Sequence, residues 1–475
     1  MPQVKQVALA VLVALGLITS ARPAALMDLD ADTAHQVAAL LKRAGDDGLD
    51  AGQYRAADGA ALAAFARDVA LGRPKLRSLD SDVALPAPSF DAEAVVAKAV
   101  AEGKPARLPE LLAPPYPQYV ALKKALARYR AIADAGGWPE LTAAARNYAA
   151  EPQATLLRKR LSYEDGQVAA DVNADLTDAL KRFQLHHGLV VDGILGRATL
   201  AELNVPAAAR AGTILANMER WRWLPRALEP DRIVINAASA ELVLVLDNHV
   251  VLASRVIVGR PRDPTPILRA EGASLTVNPP WNVPTSIAAR EILPKLKRDR
   301  SWLARNDMVL LNGPPGDPAG RTVNWRAVPA ATFPYRLRQH PGPENPLGRV
   351  KMELPNRFDV YLHDTPGRAA FARQDRHLSH GCVRVEQILP LASYAISSDL
   401  ASIETIVAAI DAGETAHLPL HRMLPVYFLY WTAFSDPDGA ISFRPDVYGR
   451  DARLLAALRR PTQIAAEIPE LCPKG

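Results

Sequence analysis

The sequence predicts a multidomain α+β protein, with helical text first and a β-rich domain, interrupted by an insertion, after it. Two observations carry this. Apolar residues recur at helical spacing up to about residue 230 and at strand-like spacing from about 231 onward. The 40 prolines among 475 residues cluster between those segments and mark joints between modules. The resulting division is an N-terminal export segment (1–25), a helical scaffold (26–140), a small helical module (141–205) and a helical linker (206–230). A β-rich domain (231–415, insertion at about 285–335) and a C-terminal extension (416–475) follow.

The composition is globular, with 49% hydrophobic and 23% charged residues, and long enough to bury a sizeable core. The formal charge of +5 is mild, and Lys and Arg are interspersed with Asp and Glu, so no basic block points to nucleic acid. Lys5 precedes an apolar run from Val7 to Ile18, followed by Thr19, Ser20 and Ala21. That is the pattern of a cleavable export signal, with cleavage after Ala21 or Ala25. The run is shorter than the roughly 20 apolar residues that span a bilayer. An uncleaved anchor, which would hold the protein near the membrane, is the rival reading.

In the scaffold, Asp32-Thr33 is placed to cap a helix carrying His35, Leu40 and Leu41, and Ala61 to Val69 forms a second helix. Beyond the break at Pro114-Pro115-Tyr116-Pro117, Leu122, Leu126 and Tyr129 share one helical face. The module 141–205 has amphipathic helices at Leu156 to Leu161 and Leu176 to Gln184, a glycine-punctuated loop from Gly188 to Gly196, and a helix from Ala198 to Leu203. The Phe183-Gln184…Gly188-Leu189…Asp192-Gly193…Gly196…Thr199-Leu200 pattern resembles the helical peptidoglycan-binding domain. The same glycines would equally serve plain turns.

From residue 231 three consecutive strands follow: Arg232 to Asn236, Glu241 to Leu246 and Val250 to Val258. Asp247-Asn248 supplies the hairpin turn between the second and third. Further strands are expected at Leu275 to Val277, Val350 to Leu354, Val360 to Leu362 and Val426 to Trp431, with a helix from Leu389 to Ile396. The helical text Ile287 to Leu293 and the Gly/Pro run Gly313 to Pro318 interrupt the strands just ahead of the candidate active residues, where a lid is expected. Asp436-Pro437-Asp438-Gly439 is a turn signal in the extension.

The chain has two cysteines. Cys382 sits in Ser379-His380-Gly381-Cys382-Val383-Arg384, and His363 lies 19 residues upstream in Tyr361-Leu362-His363-Asp364. A thiol becomes a competent nucleophile when a neighbouring base takes its proton, and an imidazole does so near neutrality. His363 ends a strand-like run that can aim its ring, Asp364 or its carbonyl can hold the tautomer, and Gly381 lets backbone N–H groups approach an oxyanion. A zinc site built from His363, His377, His380 and Cys382 and a buried structural cysteine stay open from spacing alone. A catalytic Cys382 must be unbonded, so no Cys382–Cys472 disulfide is expected. Trp281 and Trp325 are candidates to line a cleft or to pack in a core.

These residues resemble the signature of the L,D-transpeptidase (YkuD-type) catalytic domain, a cysteine-based peptidoglycan-crosslinking family. The likeness extends to Asn278-Pro279-Pro280-Trp281, Arg338-Gln339, Asn345, Leu347-Gly348, Lys351, Pro355-Asn356 and Phe371. It points to the large YcbB-like branch, in which a scaffold and a peptidoglycan-binding module accompany the catalytic domain. The resemblance implies Cys382 as nucleophile, His363 as base, the Asp364 carbonyl as orienter of the ring, and the Gly381 and Cys382 amides as oxyanion hole. It gives Ser379, His380, Arg384, Gln339, Asn345 and Asn356 as substrate-side residues, with Arg384 bracing the loop or holding a substrate carboxylate. It implies stem tetrapeptides of peptidoglycan as substrate, 3→3 crosslinks through a thioester with release of D-Ala, no metal or organic cofactor, and a periplasmic location. Hydrolysis in place of crosslinking, attachment of a protein to the wall, and a non-catalytic wall-binding scaffold are the alternatives.

Overall fold

The computed structural model describes residues 29–73, 77–149, 151–163, 176–397, 403–436 and 439–459. The N-terminal apolar run and Cys472 fall outside these residues, as do Pro437 and Asp438 of the expected turn. Among the described residues no helix is long and apolar enough to cross a membrane. The described chain divides into two compact units, residues 29–70 with 90–113, and residues 71–89 with 114–459.

The first unit is helical. Helices Ala31–Lys42, Gly59–Leu71, Ala92–Ala101 and Leu108–Leu112 bury Val37, Leu41, Leu62, Phe65, Val96 and Leu112. The first helix is capped by Asp30, two residues before the expected Asp32-Thr33. The Asp30 carboxylate accepts from the Thr33 N–H at 2.8 Å, so Thr33 is the residue being capped.

In the second unit, helix Pro117–Asp134 buries Tyr119, Leu122, Ala125, Leu126 and Tyr129 and packs on helix Ala207–Arg222. The latter is no bare linker. The buried Asn217 donates to Thr432 Oγ1 at 2.7 Å and accepts from the Thr432 N–H at 3.0 Å, while Arg220 pairs with Asp451 at 2.6 Å. Helices Gln153–Ser162, Leu176–His186 and Arg197–Leu203 form the small module around Leu157, Leu161, Leu180, Phe183 and Leu203. Its loop is held by one side chain. Buried Gln184 accepts from the N–H groups of Asp192 (3.1 Å) and Gly193 (2.8 Å) and donates to Asp192 Oδ1 (2.8 Å) and the Ile194 carbonyl (3.0 Å). The Gln and Asp-Gly of the motif therefore fix a turn, with Gly193 at φ +70°.

The strands, in chain order, are β1 Val83–Ala84, β2 Arg232–Asn236, β3 Glu241–Leu246, β4 His249–Gly259 and β5 Ile267–Val277. Next come β6 Trp281–Asn282, β7 Met308–Leu310, β8 Leu337–Gln339, β9 Val350–Glu353 and β10 Leu362–His363. β11 His377–Ser379, β12 Val383–Val385, β13 Ala416–Leu429, β14 Ala433–Ser435 and β15 Ile441–Phe443 complete the set. The main sheet runs β1-β5-β13-β2-β3-β4-β12-β10-β9, and β9 pairs back onto β5, so the sheet closes on itself. The β3–β4 hairpin turns on Asp247 and Asn248, both at positive φ as a tight primed turn requires. β13 corrects the sequence reading: the strand assigned to a C-terminal extension lies inside the main sheet, antiparallel to β5 and parallel to β2. Its Val426, Tyr427 and Phe428 are fully buried there. Helix Ile388–Ile396 covers β13, near the expected bounds.

The insertion has its own apolar core of Leu293, Leu296, Leu303, Trp325, Phe333 and Leu337 and its own sheet, β6-β8-β7. Trp325 belongs to that core, with its indole N–H on the Gly320 carbonyl at 2.9 Å, and is not a cleft residue.

Gln184→Ala should lower the stability of the small module by about 2 kcal/mol, because it strands the Asp192 and Gly193 N–H groups. Thermal unfolding and amide exchange at 192–194 check this; unchanged exchange there would contradict the stapling role.

Candidate active site

One strand register builds the site. β10 pairs in parallel with β12, Leu362 with Val383 and His363 with Arg384, and antiparallel with β9, His363 with Lys351. Leu362, Val383 and Met352 face the core, fully buried. Alternation then puts His363, Arg384 and Lys351 side by side on the opposite face. One repeat back along both parallel strands, Tyr361 stands beside Cys382, and the Val383 N–H donates to the Tyr361 carbonyl at 3.1 Å.

Cys382 is a free thiol at the floor of a cleft of about 940 Å³. Its S–H donates to the Asp359 carbonyl at 3.6 Å, and its sulfur accepts from the Tyr361 hydroxyl and N–H. Burial pushes the thiol above its ordinary range, against the opposing pull of those Tyr361 hydrogen bonds and of Lys351 and Arg384. Tyr361 is itself held well above its usual range by burial and the adjacent sulfur, and Lys351 Nζ lies 4.2 Å from its ring centroid.

His363 is buried, and its Nδ1–H donates to the Asp364 carbonyl at 2.6 Å, which leaves Nε2 as the acceptor nitrogen. Burial, then the Arg384 charge, with Lys351 adding, push the imidazole down to about 3 against the backbone of Asp364 and Leu347. Both shifts favour the uncharged forms of thiol and imidazole. The thiol's hydrogen bonds go to Asp359 and Tyr361, and none joins it to His363 in this arrangement.

The other sequence candidates separate into three groups. Ser379, His380, Arg384 and Gln339 line the cleft with Trp281. Among the described residues the buried Arg384 Nε has no hydrogen-bond partner. Asn345 and Asn356 do not reach the cleft. Asn345 donates to the Pro279 and His340 carbonyls (3.1 and 3.0 Å), and Asn356 to those of Leu354 and Val360 (2.6 and 2.7 Å). Both are spent on turns, and the turn of Asn356 carries Asp359.

Gly381 departs from its expected role as well. Its N–H donates to Ser379 Oγ at 3.1 Å, whose hydroxyl donates to the Cys382 carbonyl at 2.6 Å, so the Gly381 N–H is already engaged within the loop. His380 Nε2 meets Glu291 Oε1 at 2.6 Å, and Arg260 donates to the same oxygen at 3.2 Å. This ties the insertion to the catalytic loop; burial pushes the Glu291 carboxyl up, but His380 and Arg260 hold it below its usual range. His377 is held by Asp375 and the Ala237 carbonyl at 2.8 and 2.9 Å. The four candidate zinc ligands thus do not converge, and no group of three or more such ligands among the described residues could hold a metal ion.

Sequence reasoning missed Tyr361, Lys351, Asp359 and Glu291 as parts of the site. Only the first two carried a signal: Tyr361 and Lys351 stand at strand-alternate positions beside the motif residues.

Residues 230–403 match the model of the L,D-transpeptidase (YkuD) catalytic domain. That stretch of the chain is similar to L,D-transpeptidase catalytic domains. Two further matches accompany it, a "Scaffold domain" at 59–126 and a "Putative peptidoglycan binding domain" at 155–203. A relative from Haemophilus influenzae, named "Putative L,D-transpeptidase", is 34% identical over 240 residues, 50% of this chain and 48% of that protein. The chain thus spans about half the length of that curated relative. Two solved structures share 11% identity over 48% of this chain: a carbamoyl enzyme formed with avibactam (64% of that chain, TM-score 0.19) and a mutant Enterococcus faecium L,D-transpeptidase (65%, TM-score 0.17). Those superpositions are too loose to carry an argument.

Two measurements on this domain follow. Alkylation of Cys382 by iodoacetamide should keep accelerating past pH 9, the ordinary thiol value; a plateau near neutrality would reveal a preformed thiolate–imidazolium pair. Between the ordinary 6.5 of a histidine and the value of about 3 for folded His363, the unfolded chain binds a proton that the folded chain does not. That contribution to stability is complete above 6.5 and is lost progressively as pH falls toward about 3. His363→Asn should flatten the fall in urea midpoint over this acid window, and an unchanged slope would contradict the assignment.

Proposed function

We propose that this protein is a peptidoglycan L,D-transpeptidase that forms 3→3 crosslinks through a Cys382 thioester. The observation that carries this reading is the placement of the Cys382 thiol at the floor of a large cleft, one register step from a buried, neutral imidazole whose tautomer is fixed by the Asp364 carbonyl. In the first step Cys382 Sγ attacks the carbonyl that precedes the terminal D-Ala of a stem tetrapeptide. The thiol's proton passes to His363 Nε2 as the C–S bond forms, and the imidazolium returns it to the departing D-Ala amine as the C–N bond breaks. In the second step a side-chain amine of a neighbouring stem peptide attacks the thioester, loses a proton to His363 and releases the thiol, which takes that proton back.

The neutral resting pair suits such a cycle. Proton transfer is deferred until an acyl group is in place, so the enzyme does not present a thiolate to solvent. Arg384 and Lys351 favour an anionic substrate. Arg384, with its unpartnered Nε, binds a stem-peptide carboxylate. The insertion, anchored by Glu291 on His380, covers the cleft and limits access of water to the thioester. The substrate lies outside the inner membrane, so the reading places the protein in the periplasm, in keeping with the charged-then-apolar N-terminal run. The module at 155–203 holds the enzyme on its polymer, and the whole arrangement is that of the large YcbB-like branch.

Purified protein incubated with disaccharide-tetrapeptides should yield dimers lighter by D-Ala and water-derived tripeptides only as a minor product, with both lost in Cys382→Ala. Mass spectrometry reads the outcome. Tripeptide monomer alone would make the protein a carboxypeptidase, and products unchanged by Cys382→Ala would end the cysteine mechanism.

A further inference from the structure

We propose that Thr265 is a positioning residue that turns the Cys382 N–H into the cleft as the oxyanion donor. This rests on the acyl-transfer reading of Cys382 but not on the identity of the acyl group. Gly381 C=O and Cys382 N–H belong to one planar peptide unit, and in a trans peptide they point in opposite directions. Whatever holds the carbonyl therefore aims the amide. The buried Thr265 hydroxyl does this: Oγ1 accepts from the Gly259 N–H at 2.9 Å and donates to the Gly381 carbonyl at 2.8 Å. The direction is fixed, because a backbone N–H can only donate and a carbonyl can only accept.

Without that bond the peptide has little to stop it rotating. Gly381 sits at φ +115°, where glycine moves freely, and a Cβ there would meet only the Pro264 carbonyl at 3.6 Å. Its own N–H is already used by Ser379. The loop that presents Thr265 is, by contrast, tightly clasped. A Cβ on Gly259 would fall 2.2 Å from the Asp263 carbonyl oxygen, so the 259–265 turn closes only on glycine. The Arg260 N–H donates to the Ser379 carbonyl at 3.0 Å. The Tyr448 hydroxyl donates to the Gly259 carbonyl at 2.6 Å, and Arg450 Nη2 donates to the Thr265 carbonyl at 3.1 Å. Tyr448 and Arg450, from the C-terminal segment, thus reach the catalytic loop through Thr265.

The test compares two reactions of Cys382 in the full chain. p-Nitrophenyl acetate acylates the sulfur through a tetrahedral oxyanion, forming the C–S bond, expelling p-nitrophenolate and releasing the thiol's proton through His363. Iodoacetamide alkylates the same sulfur by displacing iodide and forms no oxyanion. Thr265→Val, nearly isosteric, should slow acylation about 10- to 100-fold, part of the effect of losing one oxyanion donor. It should leave the alkylation rate and its pH profile unchanged, and Thr265→Ser should restore acylation. Tyr448→Phe, one bond further out, should show a smaller loss confined to acylation, and it decides the matter if the valine variant does not fold. Acylation within about twofold of wild type in a folded Thr265→Val, or both reactions slowing together, would overturn the inference. The ester carries no peptidoglycan, so a protein that shows the selective loss yet makes no crosslinks refutes the substrate reading alone. A wild-type Cys382 that takes no acyl group from the ester overturns both.

Discussion

The parallel pairing of β10 with β12 is the constraint on which the site depends. Two registered pairs, Leu362 with Val383 and His363 with Arg384, send one residue of each strand into the core and bring the chemical residues together on the other face. A slip by one position would bury the imidazole and the guanidinium in the apolar layer now held by Leu362 and Val383, so core packing enforces the active-site geometry. Adding β9 on the far side places Lys351 beside the imidazole. The electrostatic character of the site, a buried base flanked by two cations, follows from strand order alone.

That character is a compromise between the demands of the Cys382 thiol and the His363 imidazole. Burial disfavours charge on both the thiol and the imidazole, and the neighbouring cations favour only the thiolate. Burial therefore works against a thiolate–imidazolium pair. Cys382 donates its S–H to the Asp359 carbonyl and accepts from Tyr361, and neither partner takes its proton. The insertion keeps a separate apolar core and touches the catalytic loop through the polar Glu291–His380 contact. Rigid within and joined through exchangeable polar groups, it is the kind of element whose seating can change without disturbing the sheet beneath it.

Much of this was legible in the sequence, and the rest was hidden for identifiable reasons. Cys382 and His363 stood out because a glycine-tight turn and a strand end are local features. The partnership of Cys382 with Tyr361 was not visible, because it depends on the parallel register of two segments about twenty positions apart. Asn345 and Asn356 read as substrate contacts because an amide that can bind a peptide is also the group that staples a turn; the side chain gives no indication which backbone it will meet. Gly381 was recognised as special, but the competing claim of Ser379 on its N–H is a matter of angles. The fate of Val426 to Trp431 was half readable: the apolar run predicted burial, and nothing in it told which strands would flank it.

The position of β13 has a consequence for how the domain assembles. The sheet cannot close until residues near 429 have joined strands that begin at 232, so its central pairing is among the last to be synthesised. A nascent chain that already includes the Cys382 loop but not β13 still carries β2 and β5 with one open edge each, a template for wrong partners. Formation of the surroundings of Cys382 is thereby delayed until the polypeptide is almost fully synthesised.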